Sequence, residues 1–116
     1  MPDKPLVWLG NKVRSPPFSQ DARRQAGWLV RRLQKGETLS MPNSRPMPSI
    51  GPRCHELRID DRETGKAWRI IYRVDPDAIV IVDSFSKKSQ ATPQVAIARA
   101  AQRLRLYDAS ANEAQR

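Results

Sequence analysis

Two adjacent lysines, Lys87 and Lys88, follow an apolar run in the second half of the chain. The run is Ala78–Val82, and the Thr92-Pro93 pair beyond the lysines is typical of a helix start. The lysines are therefore predicted to lie where a strand ends and a loop begins. Ammonium groups at such a rim can bind a phosphate and stay solvated when it is absent. This pattern favours a protein directed to RNA.

Arginines precede the lysines on two predicted strands. Arg58 lies on one of these strands, and Arg69 and Arg73 lie on the next. Successive side chains of a strand point to opposite faces, and all three arginines alternate with apolar residues. If the apolar residues pack on helices, the arginines point outward together and form one basic face. Phe85, just before the lysines, is predicted to stack on a base there.

Such a face suits the cleavage of RNA without a metal ion. RNA carries its own nucleophile, the 2′-hydroxyl, which must be aligned, deprotonated and matched by positive charge at the phosphate. Guanidinium groups bind two phosphate oxygens and stay charged, and a lysine crowded by other cations has a lowered pKa. The sequence therefore predicts four catalytic residues and two RNA contacts. The catalytic residues are Arg58, Arg69, Lys87 and Lys88, and the RNA contacts are Arg73 and Phe85.

The same residues also have structural interpretations. Arg58 and Arg69 could pair with carboxylates across strands, because opposite charges are common cross-strand neighbours. Arg73 could be an ordinary surface residue, and the lysines could form a solvated turn. The carboxylates in reach are Glu56, Asp60 and Asp61. The three tryptophans, Trp8, Trp28 and Trp68, are predicted to anchor the core.

Length and charge set the class of molecule. The chain has 116 residues, which predicts one domain over residues 1–116, with a core from about 6 to 107 and a disordered tail over 108–116. It carries 21 Lys and Arg against 12 Asp and Glu, a formal net charge of +9. Such an excess favours polyanionic partners such as nucleic acid.

Cysteine and histidine usage argues against disulfides and metal sites. Cys54 is the single cysteine, which predicts a reducing cytoplasmic location. His55 is the single histidine, and neighbours on a strand point to opposite faces, so no metal site and no cofactor are expected. The sequence has no apolar run of membrane-spanning length, and no membrane association is predicted.

The elements predicted around these residues give an α+β fold. Two short turns separate three strand-like runs that should form an antiparallel meander, with a first strand and two helices added to it. The proline-rich stretch from Glu37 to Arg53 should be mostly irregular. Both helices are expected on one side of a small, mostly antiparallel sheet. The predicted strands are 6–9, 54–59, 67–74 and 78–85, and the predicted helices run from Ser19 to about Lys35 and from Thr92-Pro93 to about Tyr107.

Four segments together resemble the phage-derived, HigB-like branch of the RelE toxin superfamily. They are Met41-Pro-Asn-Ser-Arg-Pro-Met-Pro-Ser-Ile-Gly, Cys-His-Glu-Leu-Arg58, Trp-Arg-Ile-Ile-Tyr72 and Phe-Ser-Lys-Lys-Ser-Gln-Ala-Thr-Pro93. The resemblance spans about Leu6 to Tyr107. It implies a RelE-like fold and the toxin of a type II toxin–antitoxin pair. Such toxins cleave mRNA, commonly on the ribosome, inhibit translation and are neutralised by a helix-turn-helix antitoxin.

By motif position, the resemblance gives site roles to residues already singled out. Arg69 matches the basic residue of the middle strand, Lys87 and Lys88 match the basic position after the last strand, and Arg58 lies where relatives contact RNA. The chain lacks the tyrosine early in the last helix, and the histidine and aspartate near the last strand, that some relatives use. The alternatives are a non-catalytic module that binds RNA or an acidic partner, and an inactive toxin-like protein that only binds an antitoxin.

Overall fold

The fold is a five-stranded sheet with one long helix on each face. A computed structural model describes residues 3–10, 17–87 and 92–114. The strand order is β1-β5-β4-β3-β2, and every neighbouring pair is antiparallel except β1 with β5. The predicted α+β class with a mostly antiparallel sheet is confirmed. The elements are β1 (Leu6–Trp8), α1 (Gln20–Gln34), β2 (Ser44–Pro46), β3 (Cys54–Asp60), β4 (Ala67–Val74), β5 (Ile79–Lys87) and α2 (Gln94–Ala114).

The two helices cover opposite faces of the sheet, so the expectation of both on one side is wrong. α1 packs on a core that includes Ile79 and Ile81 of β5. α2 packs on a second core that includes Val80 and Val82 of the same strand. Because β5 is apolar on both of its faces, each face requires its own cover. The arginines that alternate with the first core therefore point toward α2.

β5 is longer than predicted and includes the first lysine. The strand extends to Lys87, which pairs with Ala67 of β4, whereas the sequence pattern predicted an end at Phe85. Lys87 therefore belongs to the sheet, and its backbone is fixed by strand pairing. Lys88 lies outside the described residues.

The proline-rich stretch contains a strand that the sequence did not predict. β2 pairs with β3, and Arg45 stands opposite Glu56. Pro46 is accommodated because β2 is an edge strand of the sheet, where proline removes no ladder hydrogen bond to an outer neighbour. Ser44 is buried, and its hydroxyl lies 2.6 Å from the Tyr72 hydroxyl. This contact connects β2 directly to β4, which lies two strands away in the sheet.

The last helix extends past its predicted end. α2 runs to Ala114, so the tail predicted from residue 108 onward is helical as far as the structure describes it. One residue of this stretch contacts the sheet: Asp108 accepts hydrogen bonds from Arg73 Nη1 at 3.0 Å and from Nη2 at 2.8 Å. Asp108 ends the apolar pattern, yet it binds the sheet through charge.

The start of α1 is tied to the β3–β4 turn. Ser19 caps the helix by accepting the Ala22 N–H at 3.1 Å, and its hydroxyl donates to Asp61. Asp61 also accepts the Trp68 indole N–H at 3.3 Å. These hydrogen bonds hold the pKa of Asp61 well below its usual range, although burial opposes them.

Only one of the three tryptophans is a core anchor. Trp68 is buried and its ring meets Phe18 edge-on, with ring centroids 4.8 Å apart. Trp8 is 37% exposed and Trp28 is 61% exposed, so the prediction of burial is wrong for both. The Arg32 guanidinium lies 4.8 Å from the centre of the Trp28 ring on the outer surface of α1.

Candidate functional site

A buried carboxylate, Glu56, lies at the centre of four cations on the α2 face of the sheet. We call Glu56 with Arg45, Arg58, Arg69 and Lys87 the Glu56 cluster. Strand register assembles it: Arg45 stands opposite Glu56, Arg58 opposite Arg69, and Lys87 opposite Ala67, two residues before Arg69. Alternation along β3 and β4 places these side chains on one face. Four strands thus each contribute at least one charged group.

Glu56 has several polar partners. Its side chain is fully buried and accepts a hydrogen bond from Arg45 Nε at 3.1 Å. The Thr92 hydroxyl, which precedes α2, donates to the other carboxylate oxygen and accepts from Arg45 Nη2 at 3.1 Å. Arg69 Nε lies 3.5 Å and Lys87 Nζ 3.9 Å from Glu56 Oε1. Glu56 therefore connects β2, the start of α2 and the two buried cations.

Two nitrogens of the cluster are buried without a hydrogen bond among the described residues. They are Arg69 Nε and Lys87 Nζ, on side chains that are 6% and 1% exposed. Arg69 uses another nitrogen, Nη1, to donate to the Trp68 carbonyl at 2.9 Å. An unpaired buried donor costs about 1–3 kcal/mol, and more when it is charged. The arrangement is suited to an anion that would accept from both nitrogens.

The cluster lowers the proton affinity of its buried cations. Burial lowers the pKa of Lys87, Glu56 opposes this effect, and the charges of Arg69, Arg45 and Arg58 add to the lowering. Burial also lowers the pKa of Arg69, where Glu56 again opposes and Arg58 adds to the effect. A lysine in this setting gives up a proton more readily than a solvated one, which is a requirement for proton transfer near neutral pH.

The structure brings three of the four predicted catalytic residues together. Arg58 is half-buried beside Arg69, and its Nη1 lies 3.4 Å from the Met41 sulfur. Arg69 and Lys87 are buried, in contrast to the outward orientation expected from the sequence. The fourth residue, Lys88, lies outside the described part of the chain. Phe85 stands opposite Arg69 and packs, partly buried, against the α2 core.

Arg73 lies on the same face but does not join the cluster. It is buried at the other end of β4, where it donates to Asp75 at 2.7 and 2.9 Å and to Asp108 at 2.8 and 3.0 Å. These bonds, led by those to Asp108, raise its pKa above the ordinary arginine value. Arg73 is therefore occupied by two carboxylates and serves to fix α2, which leaves it unsuited to the RNA contact expected from the sequence.

Sequence reasoning missed the parts of the site that Glu56 organises. Arg45 was hidden because its strand lies in a proline-rich stretch. In the sequence, Thr92 indicates only a helix start, and Glu56 is only one partner of a possible ion pair. The sequence does indicate that Glu56 and Arg58, two residues apart on β3, point to the same face of the sheet, which places a carboxylate among the cations. Parity alone does not reveal that this carboxylate is buried.

The described residues offer no evident metal site. They contain no group of three or more His, Cys, Asp or Glu side chains placed to hold a metal ion. Cys54 is buried, which raises the pKa of its thiol. The His55 ring stacks on Tyr72 with centroids 5.2 Å apart, and Nδ1 lies 3.1 Å from the Arg53 carbonyl oxygen. Among the described helices, none has the length and apolar character needed to cross a bilayer.

Comparison with known proteins identifies a family. No curated protein matches the chain in a sequence search. The family model described as "Phage derived protein Gp49-like (DUF891)" matches residues 17–105, which include the whole of α1, the first half of α2 and the whole Glu56 cluster. This is a family of toxin-like proteins. The chain belongs to the phage-derived Gp49-like family.

Proposed function

We propose that this protein is a RelE/HigB-like toxin of a type II toxin–antitoxin pair that cleaves mRNA. The observation that carries the proposal is the pair of buried, incompletely hydrogen-bonded cations, Arg69 and Lys87, beside Glu56 in a member of a toxin-like family. Cations held without full partners are suited to an anionic ligand, and RNA is the polyanion that a toxin of this kind would act on. The site of action would be the cytoplasm, with mRNA on the ribosome as substrate.

In the proposed reaction, the RNA 2′-oxygen attacks the adjacent phosphorus and the bond from phosphorus to the 5′-oxygen breaks. The 2′-hydroxyl loses its proton to a base, and the leaving 5′-oxygen gains a proton from an acid. The products are a 2′,3′-cyclic phosphate and a 5′-hydroxyl end. No metal ion is required, because cationic side chains can match the charge that develops on the phosphoryl oxygens.

In the proposed reaction, the role of each cation follows from the solvent exposure of its side chain. Arg45 and Arg58 are the members of the cluster that solvent reaches, and they would bind the phosphate first. Arg69 lies behind them and would stabilise the developing charge. Lys87, with its lowered pKa, would accept or return the proton. Lys88 remains a proposed catalytic residue, and Phe85 remains a proposed contact to the RNA.

The decisive experiment is inducible expression followed by mapping of mRNA 5′ ends. Cleavage predicts new ends that carry a 5′-hydroxyl and translation arrest. The Lys87→Met variant should produce neither, whereas an exposed-lysine control, Lys35→Met, should behave as the wild type. If the wild type arrests growth without new 5′-hydroxyl ends, cleavage is excluded.

A non-catalytic module is the second candidate, and one observation favours it. Thr92 closes over Glu56, and the side chains of Arg69 and Lys87 are almost fully covered. A module of this kind would bind RNA or an acidic partner protein through Arg45, Arg58 and the net charge of +9 alone. It predicts RNA binding that falls steeply with salt and no cleavage product on translating ribosomes.

A further inference from the structure

An apolar groove lies between α1 and β1, on the face of the sheet opposite the Glu56 cluster. Its volume is about 280 Å³. Trp8, which lines it, is one of the exposed tryptophans. The main apolar lining residues are Leu6, Trp8, Phe18, Val30, Ile70 and Ile81. Pockets for small molecules usually measure about 300–1,000 Å³, so this groove is better matched to a few side chains of a protein segment.

A glycine in the wall of the groove is not explained by the packing of the described residues. Gly27 lies in the middle of α1, where glycine costs about 1 kcal/mol relative to alanine. A Cβ atom built at Gly27 meets nothing within 4 Å in the described structure. Among the described residues, no side chain or backbone therefore uses the space left by the missing side chain. Close approach of another backbone is the physical use that remains for glycine at this position.

The rim of the groove is positively charged. Arg23 and Arg31 line it and both are exposed, although Arg31 also pairs with Asp3 at 2.6 Å. A second copy of this chain would bring a formal charge of +9 to this rim and be repelled. An RNA strand would find few polar partners on the apolar floor. The combination of apolar floor and basic rim matches a segment with apolar and acidic side chains.

We propose that the α1–β1 groove binds an acidic amphipathic helix of a partner protein, with apolar side chains in the groove and carboxylates on Arg23 and Arg31. The partner's backbone passes close to Gly27. Such a partner leaves the Glu56 cluster uncovered, because the two sites lie on opposite faces of the sheet. If the partner is the antitoxin of the proposed function, it neutralises the toxin by binding the face of the sheet opposite the Glu56 cluster. That identification rests on the proposed function, whereas the proposal that the groove binds such a helix does not.

A binding selection tests the groove without any need for catalysis. A phage-displayed library of random helical peptides of about 20 residues is selected on the full chain, and enriched peptides are synthesised. We expect apolar residues spaced three or four apart together with an excess of Asp and Glu. Gly27→Gln should weaken their binding by about tenfold or more. The same variant should raise the thermal midpoint, because glutamine is the better helix former. Ser110→Gln, at an exposed position of α2, is the matched control.

Charge variants separate the groove from the general basicity of the chain. The double variant Arg23→Glu/Arg31→Glu should lose the peptides, while Arg24→Glu/Arg105→Glu carries the same charge change outside the groove and should retain them. Each of the following results would overturn the proposal. They are enriched peptides that bind Gly27→Gln as tightly as the wild type or lack an acidic bias, displacement of the peptides by single-stranded RNA, and a wild-type dimer that Gly27→Gln dissociates. A library that yields no peptide dependent on Gly27 also overturns it.

Discussion

At the scale of single residues, the properties of the site depend on which neighbouring groups hydrogen-bond to the Glu56 carboxylate. Glu56 is hydrogen-bonded by Arg45 and Thr92. Arg69 Nε and Lys87 Nζ lie 3.5 and 3.9 Å from Glu56 Oε1, and neither atom has a hydrogen bond among the described residues. A cluster of four cations around one anion is poorly compensated in a buried place. Such unfavourable burial is common where a protein keeps groups ready for a ligand.

Lys87→Met should stabilise the protein while removing activity. Methionine keeps most of the length and apolar volume of lysine but removes a buried ammonium that has no hydrogen-bond partner among the described residues. We expect the free energy of unfolding in urea to rise by about 1 kcal/mol or more. Cleavage should fall to background. A destabilised Lys87→Met protein would mean that Glu56 compensates the ammonium better than its distance suggests.

Glu56→Gln should change the pH dependence of cleavage if Lys87 is the base. Glu56 favours the charged form of Lys87, so its removal lowers the pKa of Lys87 further. A base acts when deprotonated, and the rising limb of kcat/KM against pH should therefore move to lower pH. Asp60→Asn, an exposed change on the same strand, should leave the limb in place. An unmoved limb in Glu56→Gln would assign proton transfer to another group.

At the scale of elements, α2 is held to the sheet by charge at both of its ends. Thr92 binds Glu56 before the first turn, and Asp108 binds Arg73 near the other end. Between them, Arg99 and Arg103 pair with Asp83 of β5 at 2.6 and 3.1 Å. The apolar contribution comes from a few small or medium residues such as Ala100 and Leu104. Ion pairs therefore have a larger part in the position of α2 than in that of α1.

Asp108→Asn should weaken this attachment in a pH-dependent way. Hydrogen bonds from Arg73 lower the pKa of Asp108 in the folded protein. The stabilisation is therefore fully present above the ordinary aspartate pKa of about 3.9 and is lost as pH falls through the lower folded pKa. The Asp108 side chain is half exposed, so we expect only about 1 kcal/mol at neutral pH after screening.

Urea unfolding of wild type and Asp108→Asn measures this difference directly. The gap between the two proteins should close in acid, below the folded pKa of Asp108, where the wild-type carboxyl is protonated. Asp77→Asn, at an exposed turn position, is the control for a generic loss of negative charge. A gap that persists unchanged in acid would show that the asparagine acts through packing and not through charge.

At the scale of the whole molecule, charge and shape separate two surfaces. The chain has a formal net charge of +9, and its Glu56 cluster lies on the α2 face while the apolar groove lies on the α1 face. A polyanion and a protein partner could therefore bind at the same time. Under the proposed function, this arrangement would allow a partner to act on the protein without competing for the surface that binds RNA.

The binding of single-stranded RNA to the Lys87→Met protein should depend strongly on salt. Each phosphate contact contributes a slope of about −0.7 to the dependence of log affinity on log salt concentration. With about four contacts, affinity should fall on the order of 50-fold between about 50 and about 200 mM salt. Fluorescence anisotropy with a labelled RNA measures the slope. Arg58→Ala should reduce the slope by nearly one contact, and Arg73→Ala should leave it unchanged in any fraction that folds.

Much of the architecture was predictable from local patterns. β4 was predicted with its observed limits, and the limits of α1 differ by one residue at each end because Ser19 and Gly36 mark them. The errors have physical causes. β2 depends on pairing with β3 and has no pattern of its own. The apolar pattern of α2 ends near Tyr107, and a further contact of the helix with the sheet is the ion pair of Asp108 with Arg73, thirty-five positions away in the chain.

The sequence by itself determined the α+β class, the shared parity of Arg58, Arg69 and Glu56, the basic character of the chain and its family resemblance. Only the tertiary structure decided that Arg69 and Lys87 are buried, that Arg73 is occupied by carboxylates and that Arg45 and Thr92 complete the site. Alternation along a strand fixes which side chains share a face, but it does not tell whether solvent or a helix covers that face. Here β5 is apolar on both faces, and α2 therefore covers the cationic side.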